Sequence, residues 1–253
     1  MLNNNKVFAV VMAGGKGTRI GAIDEPKVMF DIAGLPMIEW AIRPFEKLKK
    51  QGIIDRLIVV VGFHGEQIID YLGDRAEFVW QKEQLGTAHA VRQAENQIAG
   101  EEGVTLISNG DHTLYRTETF KKVLDETISK QATLGFAVVN SPDRFDSYGR
   151  VIKDEKGNVK NIVELLSATE EQKKIPCKNP NLYAVDNLWL FKALKNVQLN
   201  PIKKEYYLTD IIEIAVSEGK KIVTVEIDDI NEVIGINTSK DKTEAEKILK
   251  SRK

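Results

Sequence analysis

The strongest constraint on this chain is an alternation in its first half. Short, almost continuously apolar runs recur, each followed by a stretch of helical period. Residues 7–12, 57–61 and 104–108 carry apolar side chains at successive positions, so they read as strands buried on both faces. Residues 77–80 and 133–139 add a brief strand and a longer one. Between them, residues 36–50 place Ile38, Ala41, Ile42, Phe45 and Leu48 on one helical stripe, although Pro44 interrupts its regularity. Residues 65–72, 87–98 and 118–129 read as further helices. Strand–helix alternation of this kind predicts an α/β fold, a parallel sheet with helices on both faces. Ligands in such sheets bind beyond the carboxyl ends of the strands. The first and third buried runs end in Ala13-Gly14-Gly15 and Asn109-Gly110-Asp111, so both point at the expected site.

After Asn140 the texture changes. Residues 150–153, 159–164 and 182–185 read as strands joined by polar turns such as Lys156-Gly157-Asn158, which predicts an antiparallel lobe spanning roughly 140–186. Helices follow at 187–196 and 206–218, then a strand at 222–227. With no Gly/Ser linker and no repeat, one domain over 1–237 with an inserted lobe is expected, followed by a charged C-terminal helix at 238–253.

Composition narrows the function classes. Thirty-six Lys and Arg against 37 Asp and Glu give a net charge of −1, without the basic surplus of nucleic-acid or membrane-surface binders. The single cysteine, Cys177, excludes an intrachain disulfide and a Cys-based zinc cluster. His64, His89 and His112 are too scattered to suggest a shared site. No stretch approaches the roughly 20 apolar residues of a membrane span, and the run at 7–12 is too short for a signal-peptide core. The expectation is a cytoplasmic enzyme or binding protein.

The segment after the first strand reads Ala13-Gly14-Gly15-Lys16-Gly17-Thr18-Arg19. Its glycines let the backbone pass close to a phosphate and aim N–H groups at it, while Lys16 and Arg19 supply charge. Spacing rejects a Walker loop, which counted from Gly14 needs glycine where Arg19 stands. It also rejects the dinucleotide fingerprint, which needs glycine where Ile20 stands. Taken alone, the segment equally fits an ordinary strand-to-helix turn. Glu25-Pro26-Lys27 adds a further cation on a stretch stiffened by proline.

These residues also carry a resemblance. Residues 10–19, then Pro26-Lys27-Val28 and Ile32-Ala33-Gly34-Leu35-Pro36-Met37, resemble the opening of the sugar nucleotidyltransferases, in particular the uridylyltransferase domains that act on N-acetylglucosamine 1-phosphate. Residues 81–90, Gln-Lys-Glu-Gln-Leu-Gly-Thr-Ala-His-Ala, are similar to that family's nucleotide-base motif. Gly110-Asp111, Tyr148-Gly149-Arg150-Val151, Glu164, Asn181, residues 205–210 and Gly235-Ile236-Asn237 follow in the family's order, so the likeness spans about 7–237.

The resemblance implies a Rossmann-like, glycosyltransferase-A-like nucleotidyltransferase fold with a mixed, mostly parallel sheet and a small antiparallel lobe. It implies transfer of a nucleotidyl group from a nucleoside triphosphate to a sugar 1-phosphate with release of pyrophosphate, with Mg²⁺ as cofactor and neither nucleic acid nor membrane as partner. Oligomeric state is left open. Arg19 and Lys27 would be catalytic cations. Ala13, Gly14, Gly15, Lys16, Gln81, Gly86 and Thr87 would bind the nucleotide, with Thr87 also suited to cap the following helix. Gly149, Glu164 and Asn181 would bind the sugar, with Tyr148 and Arg150 lining the same pocket. Asp111 and Asn237 would hold the metal, which prefers hard oxygen ligands. The segment at 206–210 would fix a helix start, capped by Thr209 or Asp210. Because a sugar phosphate is largely dianionic near neutral pH, its second pKa being near ~6, no general base is required.

Several positions depart from the family pattern. Asn109 replaces a tyrosine before the Gly-Asp pair, Glu164-Leu165-Leu166 lacks an expected lysine, and Asn181-Leu182-Tyr183 replaces Asn-Thr-Gly. These departures fall in the sugar half and leave the acceptor open. His112, also atypical, is expected to be buried rather than a ligand. Alternatives are a nucleotidyltransferase using UTP, dTTP or CTP with another sugar phosphate or phospho-alcohol, and a nucleotide-binding regulatory module without turnover. A glycosyltransferase is disfavoured because Gly110-Asp111-His112 lacks the second acid of its usual metal motif. The hexapeptide repeats of bifunctional relatives do not occur in these residues, so acetyl transfer and repeat-based trimerisation are not expected of them.

Overall fold

The structure, a computed structural model, describes residues 6–17 and 24–252. Its strands are β1 (Lys6–Met12), β2 (Asp31–Ile32), β3 (Leu35–Pro36), β4 (Arg56–Val61), β5 (Glu77–Trp80), β6 (Gly103–Asn109), β7 (Leu134–Asn140), β8 (Gly149–Lys153), β9 (Val159–Val163), β10 (Cys177–Asn179), β11 (Tyr183–Asp186) and β12 (Ile222–Glu226). Its α-helices are α1 (Met37–Lys50), α2 (Gly65–Leu72), α3 (Thr87–Arg92), α4 (Glu95–Ile98), α5 (Thr117–Ser129), α6 (Glu170–Lys173), α7 (Asn187–Asn196), α8 (Asp210–Ser217) and α9 (Ser239–Ser251).

Ten strands form one sheet in the order β5-β4-β1-β6-β11-β7-β10-β8-β9, with β12 paired to β7. β1 runs parallel to β4 and to β6, and β4 parallel to β5. β11 enters antiparallel between β6 and β7, whereas β12 is parallel to β7. Following these pairings, β1, β4, β5, β6, β7, β8 and β12 share one direction, so the sheet is mixed and mostly parallel. β10, β8 and β9 extend it as an antiparallel lobe. β11, which the sequence assigns to that lobe, lies instead in the main sheet.

The continuity of the apolar runs follows from burial on both faces. In β1, Val7, Ala9 and Val11 pack with Ile38 and Ile42 of α1, Ile68 of α2 and Phe120 of α5. Phe8 and Val10 pack on the other face with Val91 of α3, Leu190 of α7 and Ile211 of α8. Each fully buried side chain of this size contributes about 1.5–3 kcal/mol relative to exposure. A charge at Val10, which has no exposed surface, would break the sheet at its centre.

Four expectations need correction. The helix expected at 87–98 is two helices, because Gln93 and Ala94 tighten into i→i−3 bonds with Ala90 and Val91 (3.1 and 3.0 Å). The helix expected from 206 begins only at Asp210. Tyr206 N–H donates to the Leu85 carbonyl and its own carbonyl accepts from Ala88 N–H, 2.8 and 2.9 Å, so long-range pairing overrides helical propensity there. β10 has no counterpart in the reading of the sequence. Thr87 and Thr209 do not cap through their side chains: α3 is entered from Gly86, and neither helix shows a side-chain cap bond. By contrast α1 continues through Pro44, and α9 carries a capping box made by Thr238 and Asp241. Among the described residues no helix is long and apolar enough to cross a membrane.

Candidate active site

The loops at the carboxyl ends of β1, β5 and β6 open onto one cleft of about 860 Å³, closed on its far side by residues from the segment after β9, the segment before α8, and Asn237. That is room for a ligand larger than a mononucleotide, since small-molecule sites span roughly 300–1,000 Å³. Ala13, Gly14, Gly15, Lys16, Lys27, Gln81, Gly86, Thr87, Asp111, Glu164 and Asn237 all line it. Four predicted residues do not: Tyr148 and Arg150, which brace the loop beside the cleft, and Gly149 and Asn181. Gly149 is buried behind Glu164: a Cβ there would lie 2.6 Å from Ile162 Cγ2 and 3.5 Å from Glu164 Oε1. Asn181 turns inward at φ +56°, its Oδ1 accepting from Asn179 Nδ2 at 3.0 Å and from the Tyr183 hydroxyl at 3.2 Å. Arg19 lies outside the described residues.

Lys27 is the hinge of the polar floor. Its ammonium donates to Asp111 Oδ2 at 2.5 Å and to Asn237 Oδ1 at 2.9 Å, bringing oxygens from residues 126 positions apart to one point (237 − 111). Both acceptors are held from behind. Gly110 N–H donates to the Met12 carbonyl at 2.9 Å, and Ile236 N–H to the Asp111 carbonyl at 3.1 Å. The Asp241 carboxylate, which caps α9, accepts from Asn237 N–H at 3.0 Å. The charged tail helix thereby fixes a cleft residue. His112 is buried against Tyr115 and Tyr148, ring centroids 5.4 and 6.2 Å away, and burial lowers its pKa, so it is neutral.

At the other end of the cleft, Gln81 is 4 % exposed. Its side-chain nitrogen donates to the Gly86 carbonyl at 3.0 Å and lies 3.1 Å from His89 Nδ1. Its Oε1 faces Gly14, where an added Cβ would come within 2.8 Å. Glycine at 14 is thus required by the amide, not only by a phosphate. Gly86 has φ +98°, and a Cβ there would stand 2.6 Å from the Tyr206 carbonyl oxygen. Ala13 N–H is committed to the Val60 carbonyl (2.8 Å) and the Gly14 carbonyl to Phe63 N–H (3.3 Å). A ligand here would meet the Ala13 carbonyl and the Gly14 N–H. The Thr87 hydroxyl accepts from Leu208 N–H at 2.8 Å, which makes it a brace between segments.

The far side is built differently. Arg150, read as a pocket residue, is only 2 % exposed and donates to the carbonyls of Asp146 (2.5 Å), Tyr148 (2.6 Å) and Lys173 (3.2 Å). Lys178, also buried, donates to the Arg144 carbonyl. Two buried cations staple the loop that carries Ser147 into the cleft, their charge met by carbonyl dipoles and by the Asp146 carboxylate, 3.3 Å from Lys178 and 3.8 Å from Arg150. The Tyr148 hydroxyl joins this loop to the segment leading to Asn237, donating to Val233 O at 2.5 Å and accepting from Gly235 N–H at 2.9 Å. Glu164 accepts from the Thr209 hydroxyl at 3.0 Å, and burial pushes its carboxyl above the usual range. Leu165, Leu166, Tyr207, Lys203 and Ser147 complete the wall. Sequence reasoning missed Lys203 and Ser147. Each sits in an unpatterned polar stretch, and only long-range packing puts it at the cleft.

Architecture and cleft together are those of an α/β protein that takes its ligand at the carboxyl ends of parallel strands. Residues 8–231 match the nucleotidyl transferase family, and the chain belongs to that family. It is 40% identical over 249 residues to the bifunctional protein GlmU of Geobacillus sp. (strain WCH70), covering 98% of this chain and 52% of that protein. Against the bifunctional protein GlmU of Bacillus subtilis (strain 168) it is 37% identical over 250 residues, 98% of this chain and 53% of the other. The chain therefore spans about half the length of the curated relatives it matches. Its fold superposes on that of a candidate glucose-1-phosphate thymidylyltransferase from Bacillus anthracis with a TM-score of 0.73 at 19% identity, over 96% of this chain and 94% of that one. At that identity the likeness speaks to fold alone.

Proposed function

We propose that the chain transfers a uridylyl group from UTP to a sugar 1-phosphate, with N-acetylglucosamine 1-phosphate as the first acceptor to try, in the cytoplasm. The observation that carries the reading is the convergence of Asp111 Oδ2 and Asn237 Oδ1 on the Lys27 ammonium, in a cleft whose opposite end presents the Gln81 amide beside a glycine loop. Family membership and the GlmU relatives support it.

Two hard oxygens at one point suit Mg²⁺, which takes one or two protein ligands and completes its shell with phosphate and water. Among the described residues no cluster of three His, Cys, Asp or Glu suggests another metal. Asp111 and Asn237 would hold the ion, which when bound supplies charge neutralisation for the triphosphate. The protein's own part is positioning. Gly14 and Gln81 read the base, and Lys16 faces the phosphates that leave. Lys27 carries positive charge to the reacting phosphorus, and Arg19 is assigned the same role. A sugar-phosphate oxygen then attacks the α-phosphorus in line, the α–β anhydride bond breaks, and pyrophosphate departs with that bond's electron pair. Glu164 is placed to accept from an acceptor hydroxyl.

Pyrophosphate release measured across UTP, CTP and dTTP with a panel of sugar 1-phosphates, with and without Mg²⁺, tests this. Metal-dependent release with UTP and one of the sugars is expected. Binding of UTP without release for any acceptor would overturn it in favour of a regulatory module.

A further inference from the structure

Gln81 presents an oxygen to the base site only while its amide keeps one of two orientations, and the structure contains the group that selects it. One amide hydrogen goes to the Gly86 carbonyl at 3.0 Å. Among the described residues, the acceptor in reach of the other is His89 Nδ1, at 3.1 Å. His89 is half-buried on α3, outside the cleft lining, and its ring meets the site at Gln81. A neutral imidazole has one donor and one acceptor nitrogen. Gln93 Nε2 stands 3.2 Å from His89 Nε2, on the side of the ring away from Gln81. Gln93 Nε2 already donates to the His89 carbonyl at 2.8 Å, which leaves Nε2 free to carry the ring proton and Nδ1 to act as acceptor.

We propose that neutral His89 is a positioning residue for base selection: by accepting from Gln81 it locks Oε1 toward the base, where it takes the N3–H of uracil and repels the N3 lone pair of cytosine. This rests on the reading of the cleft as a uridylyl site. Protonating His89 turns Nδ1 into a donor facing a donor, and the amide loses its lock. Burial and the nearby Arg92 cation, on the same helix, hold the ring neutral at neutral pH. The Glu83 carboxylate from the preceding loop pulls the other way. Selection is therefore strongest near neutral and alkaline pH and weakens as acid protonates the ring.

Equilibrium binding of UTP and CTP, with Mg²⁺ present and no acceptor, separates this from the reading beneath it. For the unmodified protein the UTP-to-CTP affinity ratio should be steady from about pH 8 down to the ordinary histidine range, near about 6.5, and fall below it toward the ratio of His89→Leu, because the ring is held below its usual value. Triphosphate ionisation is common to both ligands and cancels in the ratio. His89→Leu should show a ratio about tenfold lower already at the higher pH. His89→Asn, whose Oδ1 can accept from Gln81 but cannot titrate, should keep the high ratio and lose its pH dependence. If UTP binds and the ratio ignores both acid and His89→Leu, the positioning role is wrong while the cleft assignment stands. If neither nucleotide binds, both fall together.

Discussion

The two walls of the cleft are made by different means. The wall on the loop after β1 is mostly backbone: Gly14 lies against the Gln81 amide, and Gly86, at φ +98°, lies against Tyr206. The wall on the segments after β9 and before α8 is mostly side chains, Glu164, Leu165, Leu166 and Tyr207, with Glu164 held by Thr209 and the adjoining Ser147 loop held by Arg150 and Lys178. At Gly14 and Gly86 this wall tolerates almost no substitution, because an added Cβ meets backbone or a fixed amide, whereas Gly15 faces open space. A wall of side chains can be rebuilt residue by residue while its props remain. Of the departures from the family pattern, Leu165 and Leu166 lie on the second wall and Asn109 lines the floor, while Asn181, Leu182 and Tyr183 lie outside the cleft.

The sharpest way to break the comparison is at the floor both walls share. Asp111→Asn should lower turnover by at least about 10³-fold with thermal stability and circular dichroism retained, because the carboxylate charge matters only to a cation. Retention of a tenth of the activity in Mg²⁺ would remove Asp111 from the site. Next comes the backbone wall. Gly86→Ala forces a side chain into φ +98° and onto the Tyr206 carbonyl 2.6 Å away, a strain of roughly 1–3 kcal/mol. The KM for UTP should rise about 10–100-fold whichever acceptor is used, read from initial rates. A change confined to the acceptor KM would reverse the assignment of the two walls. Leu166, 61 % exposed at the cleft edge, sits at the other extreme. Leu166→Ala should alter the rank order of acceptors by about two- to fivefold and leave the UTP KM alone, since little apolar area is lost.

The backbone wall was legible in the sequence for the same reason that it is intolerant. Glycines at 14 and 86, a glutamine five residues before the second, and an aspartate closing a buried strand all leave marks at fixed spacing. The alternation of apolar runs likewise gave the parallel strands to within a residue or two. What could not be read came from contacts between distant segments. Cys177-Lys178-Asn179 carries no strand pattern and becomes β10 only by lying between β7 and β8. Arg150, read from the sequence as a pocket residue, is turned into a buried brace by the carbonyls of Asp146, Tyr148 and Lys173 folded around it. Tyr206 is held out of a helix by Leu85 and Ala88. Asn181, right in motif, is turned away by hydrogen bonds to Asn179 and Tyr183 that spacing does not reveal.

The smallest expected effect tests whether the side-chain wall sacrifices stability for its chemistry. Asp210, at the start of α8, is pushed up to about 6 by burial and by the neighbouring Glu213, and its charge in turn raises Glu164. The sign follows from proton linkage. Below the ordinary aspartate value, near 3.8, the group is protonated folded or unfolded and contributes nothing. As pH rises toward 6 the unfolded chain ionises first, so stability falls, and above that value the loss is complete. Asp210→Asn removes the titration. The helix N-terminus favours a carboxylate and solvent reaches part of the group, so the gain should be only about 1 kcal/mol, a Tm roughly 2–4 °C higher. It should appear near pH 7.5 and vanish near pH 3.5 in parallel thermal melts. Burial is the main reason Glu164 is raised, and Asp210 is itself largely protonated below about pH 6, so the acid limb of the acceptor KM should stay in place, with the UTP KM unchanged. No stability gain at about pH 7.5 would mean that the buried Asp210 carboxylate costs the second wall nothing.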